Sequence, residues 1–138
     1  MKQILLVSTL TLLTACTQQA GEAGPAEASQ ADQAQLATEL ANYRQIGEPV
    51  SCVPTRNLRG NRSAGEAAII FEGSGGRIWV NRPAAGCPAL SSTRALRTKT
   101  TTTQLCRGDI VDVFDPVAGF QYGGCGLGDF TPYERNRR

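Results

Sequence analysis

Apolar side chains first gather between Ile4 and Leu13, behind Met1 and Lys2. This run is about half of the roughly 18 to 20 residues needed to span a bilayer, so it predicts a cleaved secretory signal peptide rather than a transmembrane helix. From Thr17 to about Gln30 no large apolar residue occurs. A segment of Ala, Gln, Glu, Gly and Pro cannot offset its ordering entropy by burial, and it is expected to be a flexible tether. Leu36, Leu40 and Tyr43 then recur at helical spacing, which predicts a short amphipathic helix whose stripe docks on the domain and which ends near Gly47 and Pro49.

After Pro49 the pattern shortens and turns β-like. Ala67 to Glu72 is a compact apolar run, Arg77 to Arg82 alternates around Ile78 and Val80, and Gly73-Ser74-Gly75-Gly76 between them predicts a hairpin. Pro83 to Pro88 reads as a loop. Thr93 to Gln104 reads as one polar edge strand guarded by Lys99. Asp109 to Asp115 alternates with Val111 and Val113 on one face, and Phe120 to Tyr122 begins a last strand. The fold class expected is mainly β: a small disulfide-stapled antiparallel sheet or open barrel of five to six strands, after a short helix and a disordered tether. The boundaries expected are signal peptide 1–15, tether 16–30, helix 31–48, β domain 49–133 and a disordered basic tail 134–138.

Charge supports this division. Residues 17–48 hold five acids and one base, whereas residues 49–138 hold eleven arginines and Lys99 against seven acids. A domain of about 90 residues buries only a small core and benefits from covalent staples. Cys52, Cys87, Cys106 and Cys125 provide four thiols in an exported chain, so two disulfides are expected. Three pairings are open. The favoured one joins Cys52 with Cys125, tying the domain's ends, and Cys87 with Cys106, closing a local segment. With no histidine and no closely spaced cysteine pair, a zinc site is disfavoured.

Leu13-Thr14-Ala15-Cys16 resembles the lipobox of bacterial lipoproteins. The resemblance implies diacylglycerol on the Cys16 thiol, removal of residues 1–15 and acylation of the new amino terminus. Threonine rather than aspartate at position 17 implies, by the same resemblance, outer-membrane delivery facing the periplasm. The cysteine surroundings, Gly86-Cys87-Pro88 with Leu90, Leu105-Cys106 with Asp109, and Cys125 with Leu127, Gly128, Phe130 and Pro132, resemble a family of small proteobacterial envelope proteins. That resemblance spans about residues 50–133. It implies a compact exported or lipid-anchored domain and carries no catalytic residue.

Candidate chemistry is thin. The common histidine base is absent, and oxidised cysteines leave no thiolate. A Ser91 or Ser92 dyad with Lys99 would need a desolvated lysine, whereas Lys99 lies among edge-strand threonines. Glu66, Glu72, Asp109 and Asp129 are candidates for paired-carboxylate chemistry, although acids beside β-turns ordinarily bond turn amides or water. Asp109, Asp112 and Asp115 do not share a strand face, and Arg107-Gly108-Asp109 reads as a turn before it reads as an adhesion tripeptide. Arg56, Arg59, Arg62, Arg77 and Arg82 are the candidate anion or partner patch, because guanidinium forks match carboxylates and phosphates.

The function expected is a non-catalytic, lipid-anchored envelope module that binds or supports another component. It needs no cofactor or metal. Its partners are the membrane, through the anchor, and an acidic envelope ligand or protein, not nucleic acid. The alternatives are an inhibitor of a wall-degrading enzyme such as lysozyme and, less favoured, a carboxylate-based wall hydrolase. Trp79, followed by Val80 and Asn81, lacks the Trp-Lys-Gly pattern of small β lipoproteins that inhibit lysozyme.

Overall fold

The computed structural model describes residues 29–137. The expected signal peptide, the expected lipidation site Cys16 and most of the expected tether lie outside the described residues. Helix α1 (Gln30–Leu40) begins at Ser29, whose hydroxyl accepts the Asp32 N–H at 3.2 Å, a side-chain cap for an otherwise orphaned donor. Asp32 has a second role, because its carboxylate accepts the Glu66 N–H at 2.9 Å and fastens the start of the helix to the sheet. The helix is shorter than the expected 31–48. It stops at Leu40, and Tyr43–Gln45 forms strand β1 instead. Tyr43 suits either periodicity, and the ladder partner that decides between them lies about ninety residues away.

Ten short strands follow, all antiparallel. Strands β1, β3 (Leu58–Ala64), β4 (Ala68–Gly73), β5 (Arg77–Asn81) and β10 (Phe130–Arg135) form a five-stranded sheet in the order β1-β10-β5-β4-β3. Strands β2 (Cys52–Pro54) and β7 (Gln104–Cys106) form a pair, and β6 (Ala95–Thr98), β8 (Ile110–Phe114) and β9 (Gln121–Gly126) form a third sheet in the order β6-β8-β9. The expected hairpin is β4–β5. Gly75 and Gly76 turn it with φ of 70° and 78°, a conformation that glycine adopts without strain.

The apolar run at β4 reflects burial on two faces rather than one. Ile69 and Phe71 face a core with Trp79, Leu90, Leu96, Leu105, Val111, Val113 and Phe130, enclosed by the two smaller sheets. Ala68 and Ile70 face a second cluster with Ile78, Val80 and Leu36, enclosed by α1, with Leu40 and Tyr43 packed at its margin. The domain is therefore layered: helix, five-stranded sheet, then the two small sheets.

Three further expectations are corrected. The disulfides join Cys52 to Cys106 and Cys87 to Cys125, not Cys52 to Cys125 and Cys87 to Cys106. Register is the cause: Cys52 and Cys106 are directly opposite in the β2–β7 ladder, with Cα atoms 4.0 Å apart, while Cys87 follows β5 and meets β9 across the core. The single strand expected over 93–104 is broken after Thr98. The Thr100 and Thr102 hydroxyls both donate to the Gln104 carbonyl, at 2.9 and 2.8 Å, building a turn that competes with a ladder. The tail expected to be disordered from 134 is ordered through Arg135, because β1 supplies a partner strand, Arg44 pairs with Glu134 at 3.2 Å, and Arg135 lies over the Tyr43 ring.

Candidate binding surface

The β8–β9 hairpin carries the surface with the most unusual chemistry. In β8, Val111 and Val113 point into the core, leaving Ile110, Asp112 and Phe114 on the outward face. Asp115 then closes the turn. Its carboxylate accepts the N–H groups of Val117 at 2.8 Å and Ala118 at 2.9 Å, and the Gly119 N–H, at φ 71°, reaches the Asp115 carbonyl at 2.9 Å. The Ala118 amide first, then the Val117 amide, hold the Asp115 carboxyl below its ordinary range. This turn projects apolar residues where polar ones are usual: Val117 is 95% exposed, Phe120 69% and Tyr122 42%.

Arginines lie against two rings of the hairpin. The Arg94 guanidinium sits 3.7 Å from the centroid of the Tyr122 ring while donating to the Ala89 carbonyl, and that of Arg97 lies 5.4 Å from Phe114. Lys99 reaches Asp112 at 2.7 Å and Arg97 reaches it at 3.5 Å, with Lys99 the larger cause of a lowered Asp112 pKa. Around the hairpin, three bases (Arg94, Arg97 and Lys99) face two acids (Asp112 and Asp115), leaving one positive charge in excess. Strand β9 has a small profile for a reason. A Cβ at Gly124 would stand 2.9 Å from Ile110 Cγ2 and 3.0 Å from the Val111 carbonyl oxygen, so only glycine lets β9 pair this closely with β8.

The structure places the five arginines of the expected patch in different surroundings. Arg62 is half-buried under α1 and paired with Glu39 at 3.1 Å and with Glu72, which makes it a tie between helix and sheet rather than a free cation. Arg59 donates to the Ser74 hydroxyl at 2.9 Å, and Arg77 lies beyond the same glycine turn, in an open cleft of about 520 Å³ that it shares with Arg135. Arg82 lines a different cleft, about 540 Å³, between α1 and the loop after β5. Arg56 stands apart at the start of β3, and among the described residues Arg56, Arg77 and Arg82 form no ion pair.

The acids are likewise dispersed into separate tasks. Asp109 accepts the Cys106 N–H at 2.8 Å, Glu72 is held by Arg62, Asp129 pairs with Arg107 at 3.3 Å, and Glu66 is exposed on the β3–β4 turn. The Arg107-Gly108-Asp109 tripeptide is accordingly tied down at both ends. No two of the four carboxylates are joined by a shared hydrogen bond among the described residues.

The hairpin surface was missed at the level of sequence although its signal is present. Between Pro116 and Gly119, two strong turn residues, stand Val117 and Ala118 where a solvated turn would carry polar side chains, and Phe120 and Tyr122 follow. No helix among the described residues is long and apolar enough to cross a membrane. Comparison with protein-family models, with curated proteins and with solved structures finds no match to this chain.

Proposed function

We propose that this chain is a non-catalytic, lipid-anchored module of the bacterial cell envelope, held at the outer membrane through Cys16 and facing the periplasm. The working surface in this reading is the outer face and tip of the β8–β9 hairpin. The observation that carries it is the set of exposed Val117, Phe120 and Tyr122 at this turn, with Arg94 against the Tyr122 ring and Arg97 against the Phe114 ring of β8. Such a set costs solubility and contributes nothing to either core, so its retention favours contact with another surface. The lipobox resemblance at Leu13-Thr14-Ala15-Cys16 supports the anchor, and the cysteine-centred resemblance supports an exported scaffold. Three of the four carboxylates considered for hydrolysis, Glu72, Asp109 and Asp129, are engaged in separate structural bonds, which favours binding over chemistry.

The test is metabolic labelling of cells with a tagged fatty acid, comparing the natural chain with Cys16→Ser. Label on the former only, together with loss of membrane retention in the variant, is the expected result. A natural chain without label, or a variant that stays equally membrane-bound, overturns the anchor.

A further inference from the structure

We propose that the β8–β9 tip is a second membrane contact, in which Val117, Phe120 and Tyr122 enter the headgroup layer of an anionic lipid surface while Arg94, Arg97 and Lys99 lie among its phosphates. The proposal names the partner of the surface described above and rests on that reading for its placement near lipid. Three observations carry it.

The first is chemistry. Tyrosine and phenylalanine with neighbouring arginine match the layered polarity of a bilayer interface, where a ring sits at headgroup depth and a guanidinium keeps its charge in the polar zone. Both acids of this surface are already engaged: Asp115 by two turn amides and Asp112 by Lys99 and Arg97. Pairing leaves the count unchanged: three bases against two acids give a local excess of one positive charge.

The second is where the chain arrives. Asp32, three residues into the described chain, bonds the Glu66 N–H at 2.9 Å. The Glu66 carbonyl accepts the Cys87 N–H at 3.3 Å, and Cys87 is disulfide-bonded to Cys125 of β9. Two residues beyond Cys87, the Ala89 carbonyl holds Arg94 against Tyr122. The start of the helix and the base of β9 are thus joined by a short succession of contacts around the β3–β4 turn, so the amino-terminal end of the domain is fastened to the sheet that carries the tip.

The third is length. From Cys16 to Ser29 is thirteen residues. Fully extended they reach at most about 45 Å. With Cys16 lipidated, as proposed above, the domain is held within that reach of the lipid. An acylated amino terminus already supplies retention, so a weak contact at the tip sets which face of the domain is turned outward.

The test uses the full mature chain, oxidised, with Cys16→Ser so that no acyl group can contribute. It is sedimented with vesicles of phosphatidylglycerol and phosphatidylethanolamine, and with vesicles of phosphatidylcholine alone. Partition into the anionic vesicles is expected, falling at least tenfold in Val117→Asp/Phe120→Asp and about fivefold for each of Arg97→Gln and Lys99→Gln. The tip side chains are exposed, so melting temperatures unchanged from the parent chain exclude misfolding. Absence of partition, or partition indifferent to the tip variants, overturns the proposal. So does a tip that crosslinks in cells to a protein while showing no vesicle binding, which would assign it to protein docking. Because Cys16 is absent from the assay, vesicle binding with unlabelled Cys16 in cells would remove the anchor and leave the tip contact standing.

Discussion

Asn81 is fully buried in β5, and its side-chain amide forms two bonds with one residue, donating to the Gly128 carbonyl at 2.7 Å and accepting the Gly128 N–H at 2.9 Å. Replacing it with leucine would fill the space but strand both backbone groups. Each orphaned group costs about 1–3 kcal/mol, so Asn81→Leu is expected to lose about 3 kcal/mol in denaturant unfolding. Gly128→Ala should be at least as damaging, because its Cβ would stand 2.1 Å from the Arg82 carbonyl oxygen, a backbone atom that cannot step aside. A loss below about 1 kcal/mol in both variants would remove this clamp from the account. The residue scale also sets the acid limb. Asp32, Asp112 and Asp115 have lowered pKa values, for which the largest causes are respectively the Ser29 hydroxyl, Lys99 and the Ala118 amide. A carboxylate with a lowered folded value binds fewer protons folded than unfolded. Its contribution is complete above the ordinary aspartate value of 3.8 and is lost as pH falls through the lower folded value. Melting temperature should therefore fall below about pH 4, and less steeply in Asp115→Asn; equal slopes would show that Asp115 takes no part. In the sequence Pro116 and Gly119 mark a turn, whereas Asn81 gives no hint of its role, since its partner lies 47 residues away.

Among the elements, the local ones were legible. The β4–β5 hairpin follows from an apolar run, four turn residues and an alternating run, and β8 follows from Val111 and Val113. What failed was non-local. Whether Tyr43–Gln45 continues a helix or joins a sheet depends on residues 133–135, and the same pairing orders a tail whose charges alone argue for solvation. The disulfides failed for the same reason: proximity in sequence favoured Cys87 with Cys106, but ladder register put Cys106 opposite Cys52. Recurrence every third residue gives Arg56, Arg59 and Arg62 no fixed face, because their segment is part turn and part strand. The two staples also differ in kind. In the chain-entropy model closures of 54 and 38 residues each contribute about 4 kcal/mol. Yet Cys87 and Cys125 are 2% and 7% exposed within the main core, whereas Cys52 and Cys106 are only half-buried. Converting Cys87 and Cys125 to serine would add buried hydroxyls to the lost closure, and should destabilise more than the same change at Cys52 and Cys106 despite the shorter loop. Paired unfolding curves decide this, and a reversed order would show that closure entropy dominates. Peptide mapping without reduction should recover the 52–106 and 87–125 links.

At the scale of the whole molecule the five-stranded sheet has two apolar faces and only one is covered by other strands. The second, formed by Ala68, Ile70, Ile78 and Val80, is closed by a single helix contributing Leu36, with Leu40 at its margin. That helix is the outermost layer and the first described element of the chain, so the integrity of the domain is coupled to its amino-terminal segment. Two covalent staples hold the opposite layer, and none crosses to α1. The helix is fastened instead by Leu36, by the Asp32 bond to Glu66 and by the Glu39 pair with Arg62. It should accordingly be the first layer to detach on heating. Leu36→Ala is expected to cost about 2–3 kcal/mol, towards the low end for a buried leucine because its surroundings are open on the cleft side. A chain begun at Asn42 should keep both disulfides and its β signature, yet expose Ile70, Ile78 and Val80 as a contiguous patch and self-associate at micromolar concentration. Light scattering after size-exclusion chromatography reads the outcome. A monomeric truncated chain melting at the parent temperature would mean that the sheet needs no cover on that face, and that the helix serves the tether alone.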